Sequence, residues 1–253
     1  MSKTLNVEIE TGNNLKLSGR LDIPKDKEIE AYAIYSHCFT CGKNISSASR
    51  ISKKLASLGI ACLRFDFRGI GDSEGDFSEH NYSSSVEDIV AAANFLEKNF
   101  EAPKILIGHS FGGIATLGAC SKIDSINAVM TIAAPSHPSH ILNHFECHVD
   151  EIIKIGKGKV NILGKELELS KDFILDVQNA KPFEGIKNSR KAFLIFHSPL
   201  DTTVGIESAS EIFLALKHPK SFVSLDYADH LITKKEDAEY VAEICYHLGK
   251  RYS

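Results

Sequence analysis

Residues 104–122, KILIGHSFGGIATLGACSK, place Ser110 between Gly108 and the pair at 112–113, directly after an apolar run. Glycine weakens both strands and helices, yet here it stands where a strand would end and a helix begin. The stretch predicts one of two structures. It is either a turn that is merely tight, or a turn that holds Ser110 in a backbone conformation that bulkier neighbouring residues would prevent. The pentapeptide GHSFG at 108–112 matches G-x-S-x-G, the strand-to-helix turn that exposes a nucleophilic serine above a sheet.

The rest of the chain predicts the sheet around this turn. Two runs that alternate apolar and polar residues flank Gly12-Asn13-Asn14, which indicates a hairpin. Six apolar runs follow, and strands buried on both faces of a parallel sheet have this composition. We therefore expect an α/β fold, a mostly parallel, doubly wound eight-stranded sheet with helices on both faces. The strand candidates are 31–36, 60–65, 104–108, 128–133, 192–196 and 221–225, and the helix candidates are 45–58, 84–99, 111–121, 205–216 and 234–252.

One segment interrupts the alternation. Residues 136–190 separate two strand candidates by more than an ordinary connection requires. They contain an amphipathic stretch at 138–153, predicted as a helix, and then KVNILGKELELS at 159–170, predicted as a hairpin turning at Gly164-Lys165. We interpret 1–253 as a single domain and 136–190 as a small cap over the carboxyl edge of the sheet, where ligands bind in open α/β folds.

Composition excludes several classes of function. The net charge of -4 argues against a nucleic-acid-binding protein, which usually carries a basic face. The longest charge-free stretch, 125–145, contains Pro135 and Pro138 and is a poor membrane span. The N-terminal residues show no apolar signal core, and the six cysteines are scattered, which favours reduced thiols. We expect a cytoplasmic protein that binds neither nucleic acid nor membrane.

A nucleophilic serine needs a base and a carboxylate that orients the base, in the chain order Ser, acid, His on this fold. Asp201 follows a buried strand candidate at the edge that carries Ser110, although it would also serve as a helix cap. His230 lies after the last strand candidate and before the last helix, although it would also fit a structural histidine. These three residues are the predicted triad.

The reaction also needs two donors for the oxyanion. The backbone N–H of Phe111, directly after the serine, is one, and the loop SHCFTCGKN at 36–44 supplies the other. Phe39 is the first candidate in that loop and Thr40 the alternative. The residues predicted to line the substrate pocket are His37, Thr40, His109, His140 and His144.

Two further patterns have more than one interpretation. Cys38 and Cys41 form C-x-x-C, either a redox pair or two small residues in a packed turn. Histidines at 137, 140, 144 and 148 resemble metal-ligand spacing together with Cys147, but they also border an apolar helix face. Because serine chemistry requires no metal, we expect neither a metal nor a cofactor.

Five motifs carry a resemblance over nearly the whole chain. In order they are HCFT, RFDFRGIGDSEGD, GHSFGG, PLDTTVG and DHLI, and this order resembles the α/β-hydrolase superfamily of serine hydrolases. The longer strings at 37–77 and 218–231 are similar to the hydrolase halves of bacterial fusions with an OsmC-like peroxiredoxin domain. The resemblance implies the same triad, and it implies a loop-shaping role for Asp66, Arg68, Gly69 and Gly71. Cys38 departs from the His-Gly that is common in the superfamily.

We therefore expect a serine hydrolase that cleaves a carboxylic ester or thioester of a small-molecule acyl substrate through an acyl-enzyme. An acyltransferase or an amidase would use the same residues. A non-catalytic scaffold that partners an OsmC-like peroxidase in trans is the alternative from another class.

Overall fold

The computed structural model describes residues 1–162, 164–187 and 189–252. Strands and helices alternate along most of the chain. The strands are β1 Ser2–Glu10, β2 Lys16–Pro24, β3 Ala31–Ser36, β4 Ile60–Phe65, β5 Ile105–His109, β6 Ala128–Ile132, β7 Lys157–Ile162, β8 Lys165–Ser170, β9 Ala192–His197 and β10 Lys220–Ser224. The α-helices are α1 Ser46–Leu58, α2 Tyr82–Asn99, α3 Phe111–Ala119, α4 Glu146–Ile155, α5 Lys171–Asn179, α6 Glu207–Ala215 and α7 Lys235–Tyr252.

Eight strands form one sheet in the order β1-β2-β4-β3-β5-β6-β9-β10. The β1–β2 hairpin pairs antiparallel, β2 pairs antiparallel with β4, and every other neighbouring pair is parallel. The predicted eight-stranded, mostly parallel, doubly wound sheet is confirmed. Its parallel strands end at one common edge, and Ser110 follows the central strand β5 at that edge.

The sheet is buried on both faces because its central strands alternate side chains between two cores. Every residue of β3, β4, β5, β6 and β9 is buried. In β5, Ile105 and Ile107 join the core that contains residues of α1 and α7, whereas Leu106 joins the core under α2 and α3. The continuous apolar runs of the sequence follow from this double burial.

Side-chain caps set the start of some of these helices. For example, α2 begins two residues before its predicted start because Asn81 caps it: the Asn81 side chain accepts from the Ser84 N–H, and the Ser84 hydroxyl accepts from the Asn81 N–H, each at 2.8 Å. Among the helices in the described ranges, none has both the length and the apolar composition needed to cross a membrane.

The segment between β6 and β9 differs from its predicted structure. The single helix expected over 138–153 is instead a 3-10 helix, Pro138–His144, followed by α4, with a break at Phe145 (φ -149°, ψ 33°). The hairpin expected at 159–170 is present as β7 and β8, with Gly164 in its turn at φ 84° and Lys165 already in β8. Helix α5 was not predicted, and Ser170 caps it by accepting from the Phe173 N–H.

Candidate active site

The turn at Ser110 joins β5 to α3 in a strained conformation. Ser110 has φ 54° and ψ -123°, a region that residues other than glycine seldom adopt. Its N–H donates to the Ile132 carbonyl at 2.8 Å. A Cβ on Gly108 would lie 2.4 Å from the Gly112 carbonyl oxygen, and a Cβ on Gly112 would lie 2.2 Å from the His37 carbonyl oxygen. The glycines therefore let α3 start close against β5 and β3, with the serine at the top of the turn.

Three side chains form a hydrogen-bonded relay at this edge. His230 Nδ1 lies 2.7 Å from Asp201 Oδ2, and His230 Nε2 lies 3.0 Å from Ser110 Oγ. A carboxylate only accepts, so the Nδ1–H of His230 donates to Asp201. In the neutral imidazole this leaves Nε2 as an acceptor for the Ser110 hydroxyl, which is the arrangement a general base requires.

Asp201 is held as a carboxylate by its surroundings. Its side chain is completely buried, and its second oxygen, Oδ1, accepts from the N–H groups of Thr203 at 2.8 Å and Val204 at 3.0 Å. Burial acts to raise the pKa of Asp201, but the hydrogen bond from His230 and those two amides outweigh it, so the pKa lies below its ordinary value. The ionised Asp201 can then stabilise a protonated His230.

Two amides beside Ser110 are available for an oxyanion. The N–H groups of Phe39 and Phe111 make no hydrogen bond to any residue that the structure describes, and the two phenyl rings contact each other with centroids 5.1 Å apart. The Thr40 N–H is equally free among the described residues, so both candidates in the 36–44 loop keep an available donor.

His37 fixes the loop that contains Phe39. The Phe67 N–H donates to His37 Nε2 at 3.3 Å, so Nδ1 carries the proton and donates to the Cys38 carbonyl at 2.8 Å. Burial lowers the pKa of His37 to about 4, and the ring is neutral at pH 7. His37 is 1% exposed and lies behind the pocket rather than on its surface, contrary to its predicted lining role.

Cys38 and Cys41 are joined by a disulfide, so the reduced thiols that the scattered cysteines favour are not found at this C-x-x-C. The Cys41 N–H also donates to the Cys38 carbonyl at 3.0 Å, closing a turn around Phe39 and Thr40. The spacing of three residues is what lets both the turn and the disulfide form.

A cavity of about 560 Å³ opens above Ser110. Thr40, His140 and His144 line it as predicted, whereas His109 is fully buried behind Ser110 and does not. Burial lowers the pKa of both His140 and His144, with a further contribution from the neighbouring His230, so both rings are neutral at pH 7. The apolar part of the lining comprises Phe39, Ile45, Phe111, Ile141, Ile162, Val204 and Leu231.

The loop after β4 forms one wall of this cavity. Asp66 accepts from both the N–H and the ammonium group of Lys43, each at 2.5 Å, and from the Asp72 N–H at 3.0 Å. Gly71 lies so close to Asp66 that a Cβ would stand 2.3 Å from the carboxylate. Lys43 is 2% exposed, and no signal in the sequence around it marks this lysine as buried.

Known proteins resemble this chain in sequence and in structure. The family model described as serine aminopeptidase, S33, matches residues 41–155. The human palmitoyl-protein thioesterase ABHD10, mitochondrial, is 32% identical over 91 residues, which cover 36% of this chain and 29% of that relative. The chain thus aligns with less than a third of that relative's length.

Solved structures match over almost the full chain. The esterase domain of a Rhodothermus marinus protein is 37% identical with a TM-score of 0.80 and 99% coverage of both chains. Est1E from Butyrivibrio proteoclasticus, with ferulic acid bound, is 21% identical with a TM-score of 0.77, covering 96% of this chain and 97% of that one, and shares the fold.

The fold and these relatives define the class: the chain belongs to the α/β-hydrolase family of serine hydrolases. Within that class it is an esterase-like enzyme that acts on ester bonds.

Proposed function

We propose that the chain hydrolyses carboxylic esters or thioesters through a Ser110–His230–Asp201 triad and an acyl-enzyme. The observation that carries this proposal is the relay itself, with contacts of 3.0 and 2.7 Å ending on a serine at the floor of a cavity. A hydroxyl within hydrogen-bond reach of a carboxylate-oriented imidazole is the geometry of an activated nucleophile.

In acylation, His230 Nε2 takes the Ser110 proton as Oγ attacks the acyl carbonyl. The resulting imidazolium is stabilised by the Asp201 carboxylate, and it then returns the proton to the departing alkoxide or thiolate. In deacylation, water attacks the carbonyl carbon of the acyl-enzyme while His230 takes a proton from that water. The bond between this carbon and Ser110 Oγ then breaks, Oγ recovers the proton from His230, and the carboxylic acid leaves. No redox change and no cofactor enters this scheme.

The tetrahedral intermediates carry a negative oxygen that needs fixed donors. The Phe111 N–H and the Phe39 N–H, with Thr40 as the alternative to Phe39, fill this role in the proposal. Losing one such donor costs about 3 kcal/mol in the barrier. The contacts of His37 and the disulfide at Cys38 and Cys41 restrain the loop that presents the second donor.

The acyl group is the part of the substrate that the cavity fits best. Its lining combines apolar side chains with the neutral rings of His140 and His144. The charged residues on the lining are already paired, Asp66 and Asp72 with Lys43 and Lys165 with the Thr40 carbonyl, so the cavity favours an uncharged acyl chain. The curated relatives are named as palmitoyl-protein thioesterases, which supports including thioesters in the proposed substrate class. Oxygen esters remain in it because the matching Rhodothermus marinus chain is named as an esterase domain.

The test is a matched series of substrates. Nitrophenyl esters and acyl thioesters of equal acyl length are compared on the native chain and on Ser110→Ala and His230→Ala. Hydrolysis of either series by the native chain, lost in both variants, supports the proposal. Turnover that survives Ser110→Ala contradicts it.

A matched acceptor series separates hydrolysis from acyl transfer. Acyl transfer to an added alcohol or amine in preference to water would place the chain with the acyltransferases. If no acyl substrate turns over on a folded native chain, the scaffold interpretation replaces the enzymatic one.

A further inference from the structure

Two buried histidines end strands at the same edge of the sheet, on either side of β6, and the proposed reaction uses neither. His109 is the last residue of β5 and His197 is the last residue of β9. Both are completely buried. Each places its Nε2 within hydrogen-bond distance of a backbone carbonyl, and in both cases that carbonyl belongs to a loop that carries a member of the triad.

His109 contacts the loop of the base. Its Nε2 lies 2.7 Å from the carbonyl oxygen of His230, and because a carbonyl only accepts, Nε2 carries the proton. Its Nδ1 has no hydrogen-bond partner among the described residues. Ser110 and His109 thus both contact His230. Ser110 contacts its imidazole, and His109 contacts its main-chain carbonyl.

His197 contacts the loop of the acid in the same way. Its Nε2 lies 2.8 Å from the Val204 carbonyl oxygen and 3.8 Å from Asp201 Oδ2. The Val204 N–H donates to Asp201 Oδ1 at 3.0 Å. His197 therefore holds the turn whose amides orient the carboxylate.

We propose that His109 and His197 are positioning residues that set the distance from His230 to Ser110 and to Asp201. This inference rests on the proposed triad. Each histidine ends a fully buried strand and contacts one loop through a single N–H donor. In this proposal the N–H donor of each ring, and not the volume of the ring, holds the loop in place.

The neutral state of both rings suits this role. Burial, with a smaller contribution from the charge of the nearby His230, lowers the pKa of His109 to about 4, and burial also lowers the pKa of His197. A neutral ring donates from Nε2 without placing a second positive charge beside His230 when that residue is protonated during the reaction. The same rings offer no exposed face to substrate, so their effect falls on the rate of reaction and not on substrate binding.

The test compares two substitutions at each site. Glutamine keeps an N–H₂ near the position of Nε2, whereas leucine keeps the bulk and removes the donor. For His109→Leu we expect kcat to fall about 10- to 100-fold with KM within about threefold, since a displacement of about 1 Å has effects of this size. His109→Gln recovers most of that loss, and the His197 pair behaves in the same way.

A histidine in the cap provides the matched control. His137 Nε2 makes the same kind of bond to the Ala180 carbonyl at 2.9 Å, but no triad loop is involved. His137→Leu is expected to keep kcat within about twofold. Equal kcat values for the leucine and glutamine variants at both sites, or an equal loss in His137→Leu, would overturn the proposal.

Two further measurements separate the possible failures. Turnover that survives His230→Ala refutes the triad itself, independently of the variants at His109 and His197. If the leucine variants do not fold, ¹⁵N NMR of the native chain decides: the proposal requires His109 and His197 to be protonated at Nε2 and bare at Nδ1 at pH 7. Protons on Nδ1 instead would contradict it.

Discussion

The edge of the sheet around Ser110 and the segment 136–190 above it are built in different ways. At the edge, polar side chains are buried and hydrogen-bonded: Asp201 has partners for both oxygens, and the neutral rings of His37, His109 and His197 each bond a loop carbonyl. In the segment above, the β7–β8 hairpin is a separate two-stranded sheet in which half of the residues are exposed and Val160, Ile162 and Leu169 are buried.

The two regions also differ in the energy of their charged contacts. The hairpin pairs Lys157 with Glu168 and Lys159 with Glu166 at 3.0 and 2.8 Å, but exposed pairs of this kind contribute about 0–1 kcal/mol. A buried group that loses its partner costs more, about 1–3 kcal/mol even when it is uncharged. The edge therefore tolerates little change, while the hairpin can vary at small cost to folding.

The largest effect is expected at the carboxylate of the relay. Asp201→Asn removes the charge that stabilises protonated His230 and that selects its tautomer, so kcat should fall about 10⁴-fold while the fold is retained. Steady-state kinetics with a short acyl ester measure this. Asp226→Asn, a change at an exposed carboxylate that hydrogen-bonds Ser224, is the control and should stay within about twofold. Similar losses in both variants would remove the distinction between the relay and its surroundings.

The second prediction compares a glycine of each region. Gly112→Ala would drive a Cβ into the carbonyl oxygens of His37 and Ser36, at 2.2 and 2.5 Å, and should cost about 3 kcal/mol of unfolding free energy. Gly156→Ala meets no atom within 4 Å and suffers only from its φ of +103°, which costs about 1 kcal/mol. Urea unfolding measures both. A larger loss at Gly156 would contradict the account of the edge as the tightly packed region.

Particular residues show which features of the fold and the site can be predicted from the sequence. GHSFG predicted the strand-to-helix turn because strand, serine and glycines are all local signals. Asp201 and His230 were predicted from chain order relative to apolar runs, and the structure brings both within hydrogen-bond distance of their expected neighbours. The buried runs predicted the sheet well because double burial demands apolar residues throughout.

Other features depend on tertiary contacts that a single sequence does not contain. His109 and His37 were predicted to line the pocket because they flank the serine and the oxyanion loop, but their rings point to carbonyls behind it. The helix expected over 138–153 kept its apolar spacing across Phe145, so periodicity alone could not reveal the break. The burial of Lys43 depends on Asp66, which is 23 residues away in the chain.

The third prediction concerns the stability of the fold at acidic pH. Burial lowers the pKa of His37 and His109 to about 4 and that of His80 to about 3, below the ordinary value of about 6.5 for histidine in the unfolded chain. Below pH 6.5 the unfolded state therefore binds more protons than the folded state. Stability is fully present above pH 6.5 and falls as the pH drops, by about 1.4 kcal/mol per pH unit for each histidine.

Urea unfolding at pH 7, 6 and 5 measures this loss. His80→Phe provides the sharper comparison, because neither ring nitrogen of His80 has a hydrogen-bond partner among the described residues and the ring packs against Phe39. In His80→Phe, the loss of unfolding free energy per pH unit should be smaller by about 1.4 kcal/mol, the contribution of one histidine. An unchanged slope would show that His80 is not buried in its neutral form.

The smallest effect is expected in the segment above the site. His140→Leu and His144→Leu change the cavity lining without touching the relay, so kcat for a short acyl ester should stay within about threefold. KM for longer acyl chains should change by about tenfold, the lower end of the roughly 10- to 200-fold that one methylene in an apolar pocket is worth. Assays over an ester series of increasing chain length measure this. A collapse of kcat for the short ester would assign these histidines to the chemistry instead.

The central claim is that Ser110 is activated by His230, and covalent labelling tests it most directly. The native chain, Ser110→Ala and His230→Ala are treated with a fluorescent fluorophosphonate at equal concentration, and the adduct is located by mass spectrometry of the digested protein. We predict one adduct on Ser110 in the native chain and none in either variant. Labelling at another residue, or undiminished labelling of His230→Ala, would contradict it.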